Sequence, residues 1–144
     1  MLNKFDIYVR NVYDGESQMK LAKEYGTSVT RIHQIIYGER LKRVYRKNPK
    51  LPMVEDYLYR FDKEYNLNER NGSIKIWRSI VRSLSHREHC LYDYTEDSEN
   101  RVIDEILKMT TEEFLSVRGI GVIYADLLEP FKKFLKDVRD YKEI

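Results

Sequence analysis

An arginine and a glutamine three positions apart on a helix share a face, and Arg31 and Gln34 have that spacing. A guanidinium pairs with the O6 and N7 atoms of guanine, and a carboxamide with the N6 and N7 atoms of adenine. The two side chains are therefore suited to base edges in a major groove. Ser28, Thr30, His33 and Tyr37 surround them with groups able to reach phosphates, bases or the thymine methyl. Arg40, Lys42, Arg43, Arg46 and Lys47 come after them, a run of cations that would line a phosphate backbone and set position without specifying sequence. A solvated basic helix face is the plain alternative for that run.

A second constellation is Gly119, Ile120 and Gly121, with Ala125 four positions on. Two glycines let a hairpin turn tightly and leave backbone N–H groups exposed at the next helix start, which suits a phosphate. Ile120 would plug the hairpin, Ala125 would allow close helix packing, and Arg118 would assist the backbone donors. Val122 and Ile123 come next and are poor phosphate partners, and Asp93 to Glu113 is rich in carboxylates. A packing or protein-docking hairpin is thus an equal alternative to a DNA contact.

His86, His89 and Cys90 lie close together, but no further ligand stands at a metal-binding spacing, so no metal is expected. A single cysteine excludes a disulfide within the chain. No phosphate-binding loop, nucleophile elbow or paired-carboxylate context occurs. The chain is expected not to be an enzyme and to need no cofactor.

The elements that must position these groups read as helical almost throughout, so the expected fold class is all-α. A first helix is predicted from Asn3 to Tyr13 and a second from a Ser17 cap to Tyr25. Gly26 then turns the chain, and Ser28 caps a third helix through Ile36 that is able to continue past Gly38 to Arg46. Ala22 is small where the third helix would lie, Gly26 accepts positive φ, and Leu21, Tyr25, Ile32 and Ile35 fall on the facing sides. Pro49 and Pro52 mark a boundary. Val54, Tyr57, Leu58, Phe61 and Tyr65 form an i, i+3, i+4, i+7 stripe over residues 53–65, which serves either burial or a dimer surface. Ser73 would cap a helix with Trp77 inward. Residues 85–97 are ambiguous, and a helix is predicted from Ser98 to Met109. Thr110 and Glu113 form a capping-box signature with Met109 and Phe114 as its staple. The expected organisation is a module over residues 1–48, a connecting helix with linkers over 49–72, and a helical domain over 73–144.

Charge is divided unevenly. Residues 1–50 hold 11 Lys and Arg against 5 Asp and Glu, whereas residues 51–144 hold 15 against 19. A polyanion partner is expected for the first part only. No run approaches the ~18 apolar residues of a membrane span. Lys4 and Asp6 interrupt the N-terminal apolar run, which does not read as a signal peptide. A cytoplasmic location without membrane contact is expected.

The segment Val9 to Tyr13, the Gly15 turn, and Ser17 through Gln34 to Arg43 resembles the fourth conserved region of sigma-70-type factors. That family uses a helix-turn-helix on promoter DNA, with a recognition helix that often reads Arg-Val-Arg-Gln-Ile. Here Arg31 and Gln34 match and His33 replaces an arginine. Residues 98–136 resemble a helix-hairpin-helix and the C-terminal domain of the RNA polymerase alpha subunit, which implies Gly119 and Gly121 at a DNA backbone or a protein partner. Together these imply a DNA-binding transcriptional regulator. Ser28, Thr30, Arg31, His33, Gln34, Tyr37, Lys42, Arg43 and Arg46 would hold double-stranded DNA, with RNA polymerase or a second copy as further partners. Two alternatives stay open: a module that docks on polymerase or a sigma factor without reading DNA, and an architectural or recombination factor.

Overall fold

A computed structural model describes residues 3–68, 72–87 and 92–142. Among them every regular element is helical and no strand occurs, so the chain is all-α. No helix among the described residues is long and apolar enough to cross a membrane. The chain divides into two compact units, Met1–Pro52 and Met53–Ile144.

The first unit holds α1 (Lys4–Val12), α2 (Gln18–Tyr25) and α3 (Val29–Lys42). Asn3, Ser17 and Ser28 precede them in extended conformation and accept from the backbone N–H three residues on, at 3.0, 3.1 and 3.1 Å. Each cap satisfies a donor that a helix start leaves orphaned and stabilises by about 1 kcal/mol. Past α2, Gly26 has φ of 65°. Its N–H bonds to the Lys23 carbonyl at 3.3 Å and the Thr27 N–H to the Ala22 carbonyl at 2.9 Å, the pattern of a Schellman motif. Only residues 26–28 separate α2 from α3. α3 packs on both α1 and α2, burying Ile32, Ile35 and Ile36 with Ile7, Leu21 and Ala22.

That core is small, and polar contacts brace its edge. Arg10 donates to both carboxylate oxygens of Glu16, to Glu24, and pairs with Asp6 at 3.7 Å. The Tyr25 hydroxyl donates to Asp6. Hydrogen bonds from Arg10 and then Lys20 hold Glu16 down at about 2 from its ordinary 4.5, and Arg10 lowers Glu24 as well. A carboxylate depressed in the folded state contributes stability that is complete above its unfolded pKa and lost as pH falls through the folded one. The melting midpoint of the first unit is therefore expected to fall between pH 4.5 and pH 2, and to fall less in Glu16→Gln. Identical pH profiles for the two proteins would remove Glu16 from that account.

The second unit holds α4 (Val54–Glu64), α5 (Ser73–Arg87), α6 (Glu96–Lys108), α7 (Thr111–Ser116), a 3-10 helix (Val122–Leu127) and α8 (Leu128–Lys142). Here α4 departs from the expected connector over 49–72. Its Val54, Tyr57, Leu58 and Phe61 share one buried cluster with Trp77, Ile80, Phe114 and Phe131. The stripe weighed as a dimer surface is thus largely consumed within the chain. Polar bonds fasten the same helix: the Val54 N–H donates to the buried Glu99 carboxylate at 3.0 Å, and the Ser73 hydroxyl to the Leu58 carbonyl at 3.1 Å. Ser73 is the first residue of α5 rather than its cap, and Asp62 accepts its N–H at 2.7 Å. Thr95 caps α6 three residues before the expected start. The Thr110 and Glu113 capping box is present, with Met109 and Phe114 buried in the same cluster. The His86 side chain, His89 and Cys90 lie outside the described residues.

Candidate nucleic-acid interface

α3 sorts its residues by face. Ile32, Ile35 and Ile36 turn inward, while Thr30, Arg31, His33 and Gln34 are exposed and Tyr37 is 59% exposed. Five expected residues are thereby gathered on the solvent side of the helix, most of them in its first half. Ser28 is also exposed, but its hydroxyl oxygen already accepts the Arg31 N–H at 3.1 Å. The hydroxyl proton remains able to donate to an anion.

The cation run is a different matter. Arg43 and Arg46, expected along a phosphate backbone, are only 1% and 6% exposed. The Arg43 guanidinium lies 5.0 Å from the ring centres of both Phe5 and Tyr8. It donates to the Leu51 carbonyl at 2.9 Å and to Glu39 at 3.2 Å, a carboxylate itself buried. Burial pushes the Tyr8 phenol up to about 12, so the ring beneath the cation stays neutral at ordinary pH. The reason for the correction is phase. Positions 32, 36, 39 and 43 continue one stripe of four-, three- and four-residue steps, so Glu39 and the capping Arg43 belong to the inward face, while Arg46 is buried beyond the end of the helix. Lys42 is half-buried and pairs with Glu39 at 3.8 Å, whereas Arg40 and Lys47 are exposed.

The outward face carries apolar groups instead. Leu41, four residues from Tyr37 on α3, is 56% exposed, and Val44 and Tyr45 in the turn after the helix are 61% and 79% exposed. Sequence reasoning missed these three because it treated the segment as cations alone.

At the hairpin, Ile120 is buried as expected. Gly119 has φ of 96°, and a Cβ there would meet the Ser79 hydroxyl at 3.0 Å. Gly121 has an ordinary φ of −86° and open space around its Cα. One glycine of the two is therefore demanded by the backbone. Gly121 leads into a six-residue 3-10 helix, not an α-helix. Val122 and Ile123 project from it, 81% and 75% exposed. Among the described residues no cluster of His, Cys, Asp or Glu could hold a metal ion.

Comparison with protein-family models, curated proteins and solved structures finds no match.

Proposed function

We propose that the first unit is a helix-turn-helix that binds duplex DNA through α3 in the major groove, and that the chain regulates transcription in the cytoplasm. The observation that carries this reading is the outward array of Thr30, Arg31, His33 and Gln34 on α3, opposite the isoleucines buried against Leu21 and Ala22. The excess of cations in residues 1–50 supports it. With Arg43 and Arg46 turned inward, phosphate contacts fall to Ser28, Arg40, Lys42 and Lys47, so the salt dependence should be modest for a DNA-binding protein. One such helix makes few base contacts, and a second copy or second module would supply the rest of a useful site.

The test is fluorescence anisotropy on mixed-sequence duplex DNA across a salt series, comparing the native chain with the Arg31→Ala, His33→Ala, Gln34→Ala triple variant. Native binding should weaken with salt by about 0.9 log units per log unit for each neutralised phosphate. On a duplex then selected from the mixed sequences with the native chain, the triple variant should bind at least about tenfold more weakly, since each paired base contact is worth about 1–3 kcal/mol. Equal binding by both proteins, or none by the native chain at low salt, overturns the proposal. A second reading, docking on RNA polymerase or a sigma factor without DNA contact, is favoured by the exposed Tyr37, Leu41, Val44 and Tyr45.

A further inference from the structure

The face of the second unit around Gly119 carries features that DNA binding by α3 leaves unused. Lys75, Gly119, Ile120, Gly121, Ile123 and Tyr124 line a cleft of about 400 Å³ that opens broadly to solvent. Its walls come from three stretches of chain: Lys75 on α5, the turn after α7, and the 3-10 helix. Packing fixes the turn, because Gly119 sits against Ser79 of α5, Ile120 is buried, and Tyr124 is 3% exposed.

Three observations say what such a cleft would take. First, its rim is aliphatic, and Val122 and Ile123 are more exposed than any other large aliphatic side chain of the described residues. Apolar groups held in water beside a preformed depression gain free energy when a partner covers them. Second, Lys75 is the one charged residue of the lining, is itself exposed, and forms no ion pair among the described residues. Third, the cleft is too open to enclose most of a small ligand's surface, as small-molecule sites do. A partly apolar depression whose one charged lining residue is Lys75 fits a protein surface better than a phosphate backbone, which would desolvate Ile123 against charged oxygens.

We propose that this cleft is a peptide-docking site for a partner segment in which a large apolar side chain stands next to a carboxylate. The apolar side chain fills the depression between Ile123 and Tyr124, and the carboxylate pairs with Lys75. The proposal concerns the second unit and does not depend on DNA binding by α3.

The experiment is selection of a random peptide library displayed on phage against the full chain. The recovered consensus peptide is then measured by fluorescence anisotropy against the native chain, Lys75→Glu and Ile123→Asp. Both substituted positions are exposed, so melting curves should be unchanged. The expected consensus pairs Asp or Glu with a neighbouring Leu, Ile or Phe. Each variant should lose about tenfold or more in affinity, a loss of about 1.4 kcal/mol. Exchanging the peptide carboxylate for lysine should restore binding to Lys75→Glu. Recovery of no consensus or a basic one, or a consensus peptide that binds both variants as it binds the native chain, overturns the proposal. So does an equal loss of duplex DNA binding in the two variants, which would make the cleft a nucleic-acid contact.

Discussion

Arg43→Ala is expected to unfold the first unit, not merely to remove a contact with DNA. The guanidinium is 1% exposed, spans Phe5 and Tyr8, and bonds to both Glu39 and the Leu51 carbonyl. Truncation leaves the buried Glu39 with Lys42, 3.8 Å away, and releases the segment that ends at Leu51. Breaking one partner of a buried ion pair costs about 3–5 kcal/mol. A unit of this size has a total stability of only about 2.5–8 kcal/mol, at 0.05–0.15 kcal/mol per residue. Loss of its helical signal in circular dichroism at moderate temperature is the expected result. Arg40→Ala, at an exposed position, should melt with the native chain and only reduce the salt slope of the proposed DNA binding by about 0.9. The double variant Glu39→Leu with Arg43→Met removes both charges and should recover most of the stability. An Arg43→Ala protein that melts like the native chain but binds DNA weakly would return Arg43 to the phosphate backbone.

Much of this architecture is legible in the residues because local chemistry decides it. Ser17, Ser28 and Thr110 cap helices where a short hydroxyl stands at the start of an amphipathic segment, and Gly26 takes the left-handed conformation that ends α2. The outward direction of Arg31 and Gln34 follows from the inward isoleucines beside them. Residue type misleads where it is read before phase. Arg43 and Arg46 look like surface cations, yet both are buried; Arg43 continues the inward stripe through Glu39, and a carboxylate four residues before an arginine on that stripe is itself the signal of an internal pair. Tertiary partners distant in sequence are the part that no local pattern reveals. Ser73 has an ideal capping side chain, but Asp62 from α4 supplies the acceptor and Ser73 turns its hydroxyl to Leu58. Lys75 becomes a cleft residue only because the turn at Gly119, far along the chain, packs against Ser79.

The division of the chain after Pro52 makes a second strong demand, on Phe61. This ring is wholly buried and meets Phe131 and Phe134 of α8 at centroid distances of 5.4 and 5.5 Å. A connecting helix between modules would tolerate its truncation, because nothing would be packed on it. A helix that is a wall of the second unit's core would not, and Phe61→Ala should then cost about 3–5 kcal/mol. Trp77, the only tryptophan of the chain, is buried in the same cluster, so its fluorescence reads the unfolding of this unit without interference from residues 1–52. Urea titration should move the Trp77 transition of Phe61→Ala to much lower denaturant with little change in slope. Tyr59→Ala, on the same helix but 45% exposed, should shift it by no more than about 0.5 kcal/mol. A Trp77 transition that ignores Phe61→Ala would detach α4 from the second unit and return residues 49–72 to the role of a linker.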